Sequence, residues 1–388
     1  MKAVICGCGV AGLGVARSLA DAGWEVLALD RGALPRGGAY AIDLWGPGFD
    51  VVETLGLLPD LRRRALPIEE VSFVDSKGHS VAALDYGQLR EATRGRLVTV
   101  LRGDLEEVLG AALPGQIDLR SSCTVDDFQP TEHGVDVTLS DNSRHVVDLL
   151  VGADGLHSQT RERAFGTSGA VLRHLGLHVA AYTFMDAALS AFVGHRFWAT
   201  DTVGRLFVLY GLPHDRVGVL AVHRSTDREP PADPQATMRE CYGDLGLHVA
   251  TALEHCPDRP LLFYESAVQI EMPRWSTGRV VLAGDACHAV SLVAGQGASL
   301  ALAGAWALVH AIRETPDVDA AIGMYERRMR PLVLAGQAKG RRTAAWFAPA
   351  TRSHLTARRL ALRLLQLRWL GPRLLPAIFL GDRRVQGR

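Results

Sequence analysis

The spacing of apolar residues changes several times along this 388-residue chain, and each change marks an element. Lys2 to Cys6 is a short apolar run suited to a buried strand, and Leu13 to Ala22, rich in Ala and Leu, predicts a helix. Trp24 to Asp30 (WEVLALD) predicts a second strand, closed by the Gly/Pro-rich stretch RGALPRGG. Together they form a β-α-β unit of about thirty residues, the building block of a parallel sheet with a right-handed crossover. Helical spacing recurs over Phe49 to Leu57 and Arg102 to Ala112. Val71 to Val74 and Ser80 to Leu84 flank Asp75-Ser76-Lys77-Gly78, which predicts a hairpin.

From Leu172 to Gln269 the pattern shortens into β-rich runs, RLFVLYGL and RVGVLAVHR among them, separated by polar and Pro-rich stretches such as REPPADPQ. This predicts a mostly antiparallel sheet with a helix inserted around Ala236 to His255. The strand-then-helix pattern returns at Arg279 with RVVLAGDA, followed by a small-residue helix from Gly297 to Glu314. A long helix is predicted over Met324 to Trp346. No internal repeat is evident.

Composition narrows the picture. Lys+Arg and Asp+Glu are both 42, so no global field draws the chain to nucleic acid. From Arg352 to Arg388 the only acid is Asp382, and RRLALRLLQLRWL sets Arg on one face and Leu on the other. Such a segment suits a membrane surface or a helix packed on the protein's own lobes with its arginines snorkelling; breaks at Gly371-Pro372 and Pro376 favour the second. No run of about twenty apolar residues is present, so a cytoplasmic protein without a transmembrane helix is expected. The six cysteines, Cys6, Cys8, Cys123, Cys241, Cys256 and Cys287, have neither zinc-ligand spacing nor the density of a disulfide framework, and no metal is expected.

Three motifs carry chemistry. Gly7-Cys8-Gly9-Val10-Ala11-Gly12 sits between the first strand and the first helix. In such a loop the first glycine makes the turn, the second admits a pyrophosphate, and the third lets helix and strand pack. The helix N-terminus offers free N–H groups to phosphate, and Asp30, ending the second strand, can accept a ribose hydroxyl. Val151-Gly152-Ala153-Asp154-Gly155 ends another apolar strand. Arg279-Val-Val-Leu-Ala-Gly284-Asp285 leads to Ala286-Cys287-His288 and then Gly295-Gln296-Gly297. Gly284 allows close backbone approach, Asp285 can accept a hydrogen bond from a ribityl hydroxyl, and the helix after Gly297 can stabilise negative charge on a reduced flavin.

In this order the motifs resemble the single-component, group A flavoprotein monooxygenases of the p-hydroxybenzoate hydroxylase type. Gly38 to Trp45 (GGAYAIDLW) looks like the flavin-side loop of the tetracycline-inactivating members. The resemblance implies an α/β fold: a Rossmann-like FAD-binding lobe from 1–70, 95–168 and 276–323, interleaved with a mostly antiparallel substrate lobe from 71–94 and 169–275. A bridging helix and basic helical tail, 324–388, complete it. It also implies that Gly9, Val10 and Ala11 contact the FAD pyrophosphate, and Asp30 and Arg31 the adenosine end. Arg102 would lie near the flavin phosphates and ribityl chain, Gly297 and Ala298 would offer N–H groups to the ring, and Asp154 would bear on FAD and NAD(P)H. NAD(P)H, NADPH in preference, would dock transiently, O2 would add at flavin C4a, and the hydroperoxide would hydroxylate a phenol, enol or fused polycyclic ketone. The chain departs from the family at Leu292, where a proline is usual, and at Ser299, where Asn is common.

The substrate side is less defined. His174, His178, Tyr182, His195, Arg196, Trp198, Tyr210 and Tyr264 fall in the β lobe, where alternation turns half of them to a cavity; Tyr210, His195 and Arg196 are the candidates for proton chemistry. His288 has a flavin-site and a packing reading. Leu292 keeps open epoxidation, Baeyer–Villiger oxidation or redox chemistry without oxygen transfer, and a flavin-binding sensor or scaffold without turnover is the rival of another class. No WxWxIP segment for halogenation is present. The expected partners are a small aromatic or polyketide-like molecule and O2, in a monomer or dimer. Three lysines (Lys2, Lys77, Lys339) against many arginines suit a GC-rich bacterial genome and specialised metabolism such as antibiotic biosynthesis.

Overall fold

The first strand, Lys2–Cys6, lies inside a six-stranded sheet. The computed structural model describes residues 1–34, 40–167 and 169–366. The strand order is Ser276–Thr277, Val280–Leu282, Leu149–Gly152, Lys2–Cys6, Glu25–Asp30 and Asp118–Ser121. All pairings are parallel except that of the Ser276–Thr277 edge. Parallel strands bring their carboxyl ends to one edge. Gly7, Asp30, Ala153 and Ala283-Gly284, far apart in the chain, therefore meet there.

Helices Val10–Asp21 and Gly297–Glu314 cover one face of this sheet, with Leu13, Leu19, Leu302 and Leu308 fully buried. The other face is covered by a three-stranded antiparallel sheet of Val125–Pro130, Val135–Leu139 and Arg144–Val147. Cys6 and Cys123 belong to that second core as small apolar groups, and burial pushes the Cys6 thiol up.

A seven-stranded sheet forms the second lobe, in the order Phe263–Glu271, Val171–Met185, Arg216–Arg224, Arg205–Leu212, Arg196–Thr202, Glu70–Val74 and Ser80–Asp85. Only Arg196–Thr202 with Glu70–Val74 is parallel. The hairpin expected over residues 71–84 is present as the last two strands. Alternation gives this sheet two faces. Leu177, Val179, Val208 and Tyr210 look toward the first lobe, whereas Tyr182, Phe207, Trp198 and Tyr264 look outward beneath a helical layer. That layer corrects one expectation: residues 236–255 are not one helix. Gly246, at φ +102°, separates Pro234–Tyr242 from Leu247–Glu254, because a Cβ there would lie 2.6 Å from the Ser76 carbonyl at the hairpin tip.

The bridging helix runs from Val318 to Phe347, longer than its apolar pattern suggests. It is joined to both lobes by buried amides. Gln269 Nε2 donates to the carbonyls of Val290 (3.1 Å) and Gln337 (2.8 Å), and Gln337 Nε2 donates to that of Ile270 (2.7 Å). The helix Arg352–Leu365 then docks on the second lobe, burying Leu362, Leu365 and Arg358. Arg358 and Arg359 both pair with Asp201, which is 1% exposed, and Arg363 Nε donates to the Val81 carbonyl at 2.7 Å. The described part of the basic tail thus turns three arginines onto its own protein. Residues 367–388, including Gly371-Pro372 and Pro376, lie outside the described residues.

Removing one partner of a buried pair strands the other charge, at a cost of about 3–5 kcal/mol. Asp201→Ala is expected to lose roughly that much in urea denaturation, while the triple variant Asp201→Leu/Arg358→Met/Arg359→Met regains most of it. A single variant within about 1 kcal/mol of the parent would contradict the anchoring role.

Candidate functional site

The site begins at the turn after Lys2–Cys6. Gly7 adopts φ +105°, and a Cβ on it would lie 2.4 Å from the Ala153 carbonyl; one on Gly12 would lie 1.8 Å from the Gly7 carbonyl. Asp30, 2% exposed, closes the turn from the next strand, accepting from the Cys8 N–H (2.8 Å) and the Gly32 N–H (2.9 Å). Gly9 caps the following helix without a side-chain bond, so the N–H groups of Val10, Ala11 and Gly12 lack a side-chain cap. Arg31 is exposed beside the turn. The geometry suits a diphosphate at a helix N-terminus.

The second motif is fastened to the first. A Cβ on Gly284 (φ +63°) would lie 2.7 Å from the Ala11 Cβ. Arg161, buried, donates to the carbonyls of Ala286 and Leu156, both at 3.0 Å, tying the GADG loop to the GDACH loop. Asp154 accepts from the Ser158 hydroxyl (2.5 Å) and from the Thr160 N–H and hydroxyl (both 3.0 Å). Its carboxylate is therefore engaged in shaping its own loop.

Asp285 is exposed by area, yet burial is the largest influence on its carboxyl and pushes it upward, eased by the Arg102 guanidinium. Arg102 pairs with Glu106 at 2.8 Å, and its N–H donates to the Tyr40 carbonyl at 3.0 Å; Tyr40, Glu106 and Asp285 all raise its pKa. Gly295 (φ +64°) turns the chain into the helix Gly297–Glu314, whose N-cap Gln296 makes no side-chain cap bond. A Cβ on Gly297 would meet nothing within 4 Å, and Ala298 is half-buried. Ser299 donates to the Trp45 carbonyl at 3.0 Å, which brings the strand Ala41–Trp45 to this helix end. Leu292 opens a short 3₁₀ turn after Ser291, which adopts φ +75°. The preceding Gly38 and Ala39 lie outside the described residues.

His288 resolves to packing. It is 2% exposed, its ring lies 5.1 Å from that of Trp275, and burial lowers its pKa to about 4. Tyr210 is buried on the inner face of the substrate sheet. Its ring fills space left by Gly218, and its hydroxyl accepts from the Ala41 N–H at 3.1 Å. His195 and Arg196 are not brought to it. His195 is exposed beside Glu69 at 3.5 Å, and Arg196 turns outward to the carbonyls of Phe192 and Val193. His178, Tyr182, Trp198 and Tyr264 also belong to the outer face, where His178 lies 3.4 Å from the Tyr264 hydroxyl.

Residues 1–334 match the family described as FAD binding domain. The flavin-dependent monooxygenase eupH of Phoma sp. is 30% identical over 366 residues, covering 86% of this chain and 84% of that one. This chain belongs to that family of flavin-dependent monooxygenases. The uncharacterized protein Rv1260 of Mycobacterium tuberculosis is also 30% identical, over 327 residues covering 81% of this chain and 85% of its own. The crystal structure of the tetracycline destructase Tet(51) shares the fold with a TM-score of 0.81, at 24% identity over 93% of this chain and 95% of that one.

The monooxygenase contains groups that its motifs alone did not single out. Asp43 accepts from the hydroxyls of Tyr86 (2.5 Å) and Thr99 (2.6 Å), and Lys339 Nζ lies 4.7 Å from the Trp45 ring centre, its pKa lowered by burial to about 8. The available signals were an acid on alternate positions with Ala41 and Trp45, and a lone lysine in an Arg-rich helix. Gly12→Ala must displace the Gly7 carbonyl and open the turn, so the purified variant is expected to lose most of its visible flavin absorbance. Full flavin content would contradict the close-packed turn.

Proposed function

We propose that this enzyme hydroxylates an electron-rich aromatic or fused polycyclic small molecule with O2, spending NAD(P)H, preferentially NADPH, and acting in bacterial specialised metabolism. The observation carrying this reading is the approach of Arg102 to Asp285 near the uncapped helix end at Gly297, beside the strand Ala41–Trp45, which contacts both that helix through Ser299 and the seven-stranded sheet through Tyr210. Half-buried apolar side chains from both lobes converge on the Tyr210 side: Phe197, Leu220, Phe263, Leu292, Trp346 and Phe347. An aromatic ligand suits such a lining, and planar rings gain from aromatic neighbours beyond area alone. The likeness to a tetracycline destructase is in keeping with a polycyclic substrate.

The residues present fit FAD. The N–H groups of Val10, Ala11 and Gly12 would hold the pyrophosphate, while Asp30 and Arg31 would receive the adenosine end. Arg102 and Asp285, one cationic and one able to accept, would take the ribityl region. The N–H groups of Gly297 and Ala298 would face the ring and favour its anionic form through the helix dipole. Bound FAD supplies the two-electron exchange with NAD(P)H and the activation of O2. The chain orients the ligand against it and excludes water, a task in which the isobutyl group of Leu292 takes the place of a proline ring.

Oxidation of NADPH by the purified holoenzyme is expected to rise about tenfold or more when a bound phenol is present, with hydroxylated product accounting for most of the NADPH consumed. Ligand-independent oxidation yielding only hydrogen peroxide would instead favour redox chemistry without oxygen transfer. Absence of NAD(P)H oxidation altogether would favour a flavin-binding protein without turnover.

A further inference from the structure

We propose that the cleft between the bridging helix and residues 272–277 binds an organic phosphate, with Arg274 and Arg327 holding the phosphate group and Pro331 and Leu334 taking its apolar part. The site does not depend on the hydroxylase reading. The cleft has a volume of about 620 Å³, within the range of small-molecule sites, and none of its lining residues belongs to the three motif segments. One wall is a single face of the helix, where Gly323, Arg327, Arg330 and Leu334 recur at helical spacing. The other is the chain that leaves the seven-stranded sheet at Glu271 and enters the edge strand Ser276–Thr277 of the six-stranded sheet.

The two walls are fastened through Glu326. One of its oxygens accepts from the Trp275 N–H and the Ser276 hydroxyl, and the other pairs with Arg330 at 3.1 Å. Arg330 also donates to the carbonyls of Met272 (3.2 Å) and Pro273 (2.8 Å), and its guanidinium lies 4.8 Å from the ring centre of buried Trp275. This pair holds the shape of the cleft, and its two charges offset each other. Arg274 and Arg327 remain, one on each wall. Both are exposed, and among the described residues neither side chain has a hydrogen bond or an ion pair. Gly323 leaves room for Arg327: a Cβ there would lie 3.2 Å from Arg327 Nη1, so the guanidinium lies across another residue of the same wall. The uncompensated charge of the lining is therefore positive. A phosphate monoester, with roughly −1.5 to −2 charge at neutral pH and three terminal oxygens, can engage two separate guanidinium forks. A carboxylate is filled by one. Beyond the cations the lining turns apolar, at Pro331 and at Leu334, which is 57% exposed. An aromatic or aliphatic group attached to the phosphate would cover that surface.

The test is equilibrium dialysis of the FAD-loaded enzyme against phenyl phosphate, inorganic phosphate and benzoate in about 0.15 M salt, where distant surface charges are screened. Loading with FAD keeps the pyrophosphate turn filled. Phenyl phosphate is expected to bind once per chain. Arg274→Ala/Arg327→Ala, with both changes at exposed positions, should weaken it about tenfold or more while the visible flavin absorbance stays at the wild-type level. Leu334→Ser should weaken phenyl phosphate about threefold and leave inorganic phosphate unchanged. Unchanged affinity in the double variant, or no binding of phenyl phosphate at millimolar concentration, would overturn the proposal. Should the double variant fail to hold flavin, Arg274→Ala alone must show a several-fold loss, and its absence overturns the proposal equally. Benzoate binding as tightly as phenyl phosphate would overturn the assignment of a phosphate. Inorganic phosphate binding as tightly would overturn the apolar contact.

Discussion

The structure depends on one close approach: the Gly12 Cα against the Gly7 carbonyl, in a turn closed by the buried carboxylate of Asp30. No side chain fits at either glycine, so the helix Val10–Asp21 starts directly against the strand end with its first N–H groups free of any side-chain cap. The parallel sheet then brings the other motifs to the same edge. Arg161 and the contact of Gly284 with Ala11 lock them together, and Arg102 lies close enough to Asp285 to ease the rise that burial imposes on its carboxyl. A dipole end, a cation and an acceptor along one sheet edge suit a nucleotide cofactor.

The second lobe gains its function from having two unlike faces. Its outward side chains pack under helices and form closed polar pairs such as His223 with Tyr242 at 2.9 Å. Its inward side chains meet the flavin lobe through specific contacts such as Tyr210 to Ala41, and the Gln269 amide holds the bridging helix at Gln337. These contacts hold the lobes together while leaving half-buried aromatic groups between them. Leu292 and Ser291 lie on this boundary. The positive φ of Ser291 is uncommon outside glycine.

Much of this organisation is legible in the residue order. The β-α-β unit, the three motif turns, the 71–84 hairpin and the small-residue helix after Gly297 are local, set by periodicity and glycine placement, and the structure contains them. The approach of Gly246 to the hairpin tip at Ser76 is not legible, because the two are distant in sequence. Nor is the direction of Arg196: alternation offers two faces, and the carbonyls of Phe192 and Val193 decide between them only in the folded chain. Asp43 escapes notice for the same reason. Its partners Tyr86 and Thr99 are brought to it by strand pairing and lobe contact, neither of which has a sequence signature.

The most direct measurement is turnover of the NADPH-fed holoenzyme with a polycyclic phenol under ¹⁸O₂, with mass analysis of the product. Monooxygenation predicts one ¹⁸O atom in the hydroxylated product and the other in water. A product carrying no ¹⁸O, formed while NADPH is consumed, would contradict it.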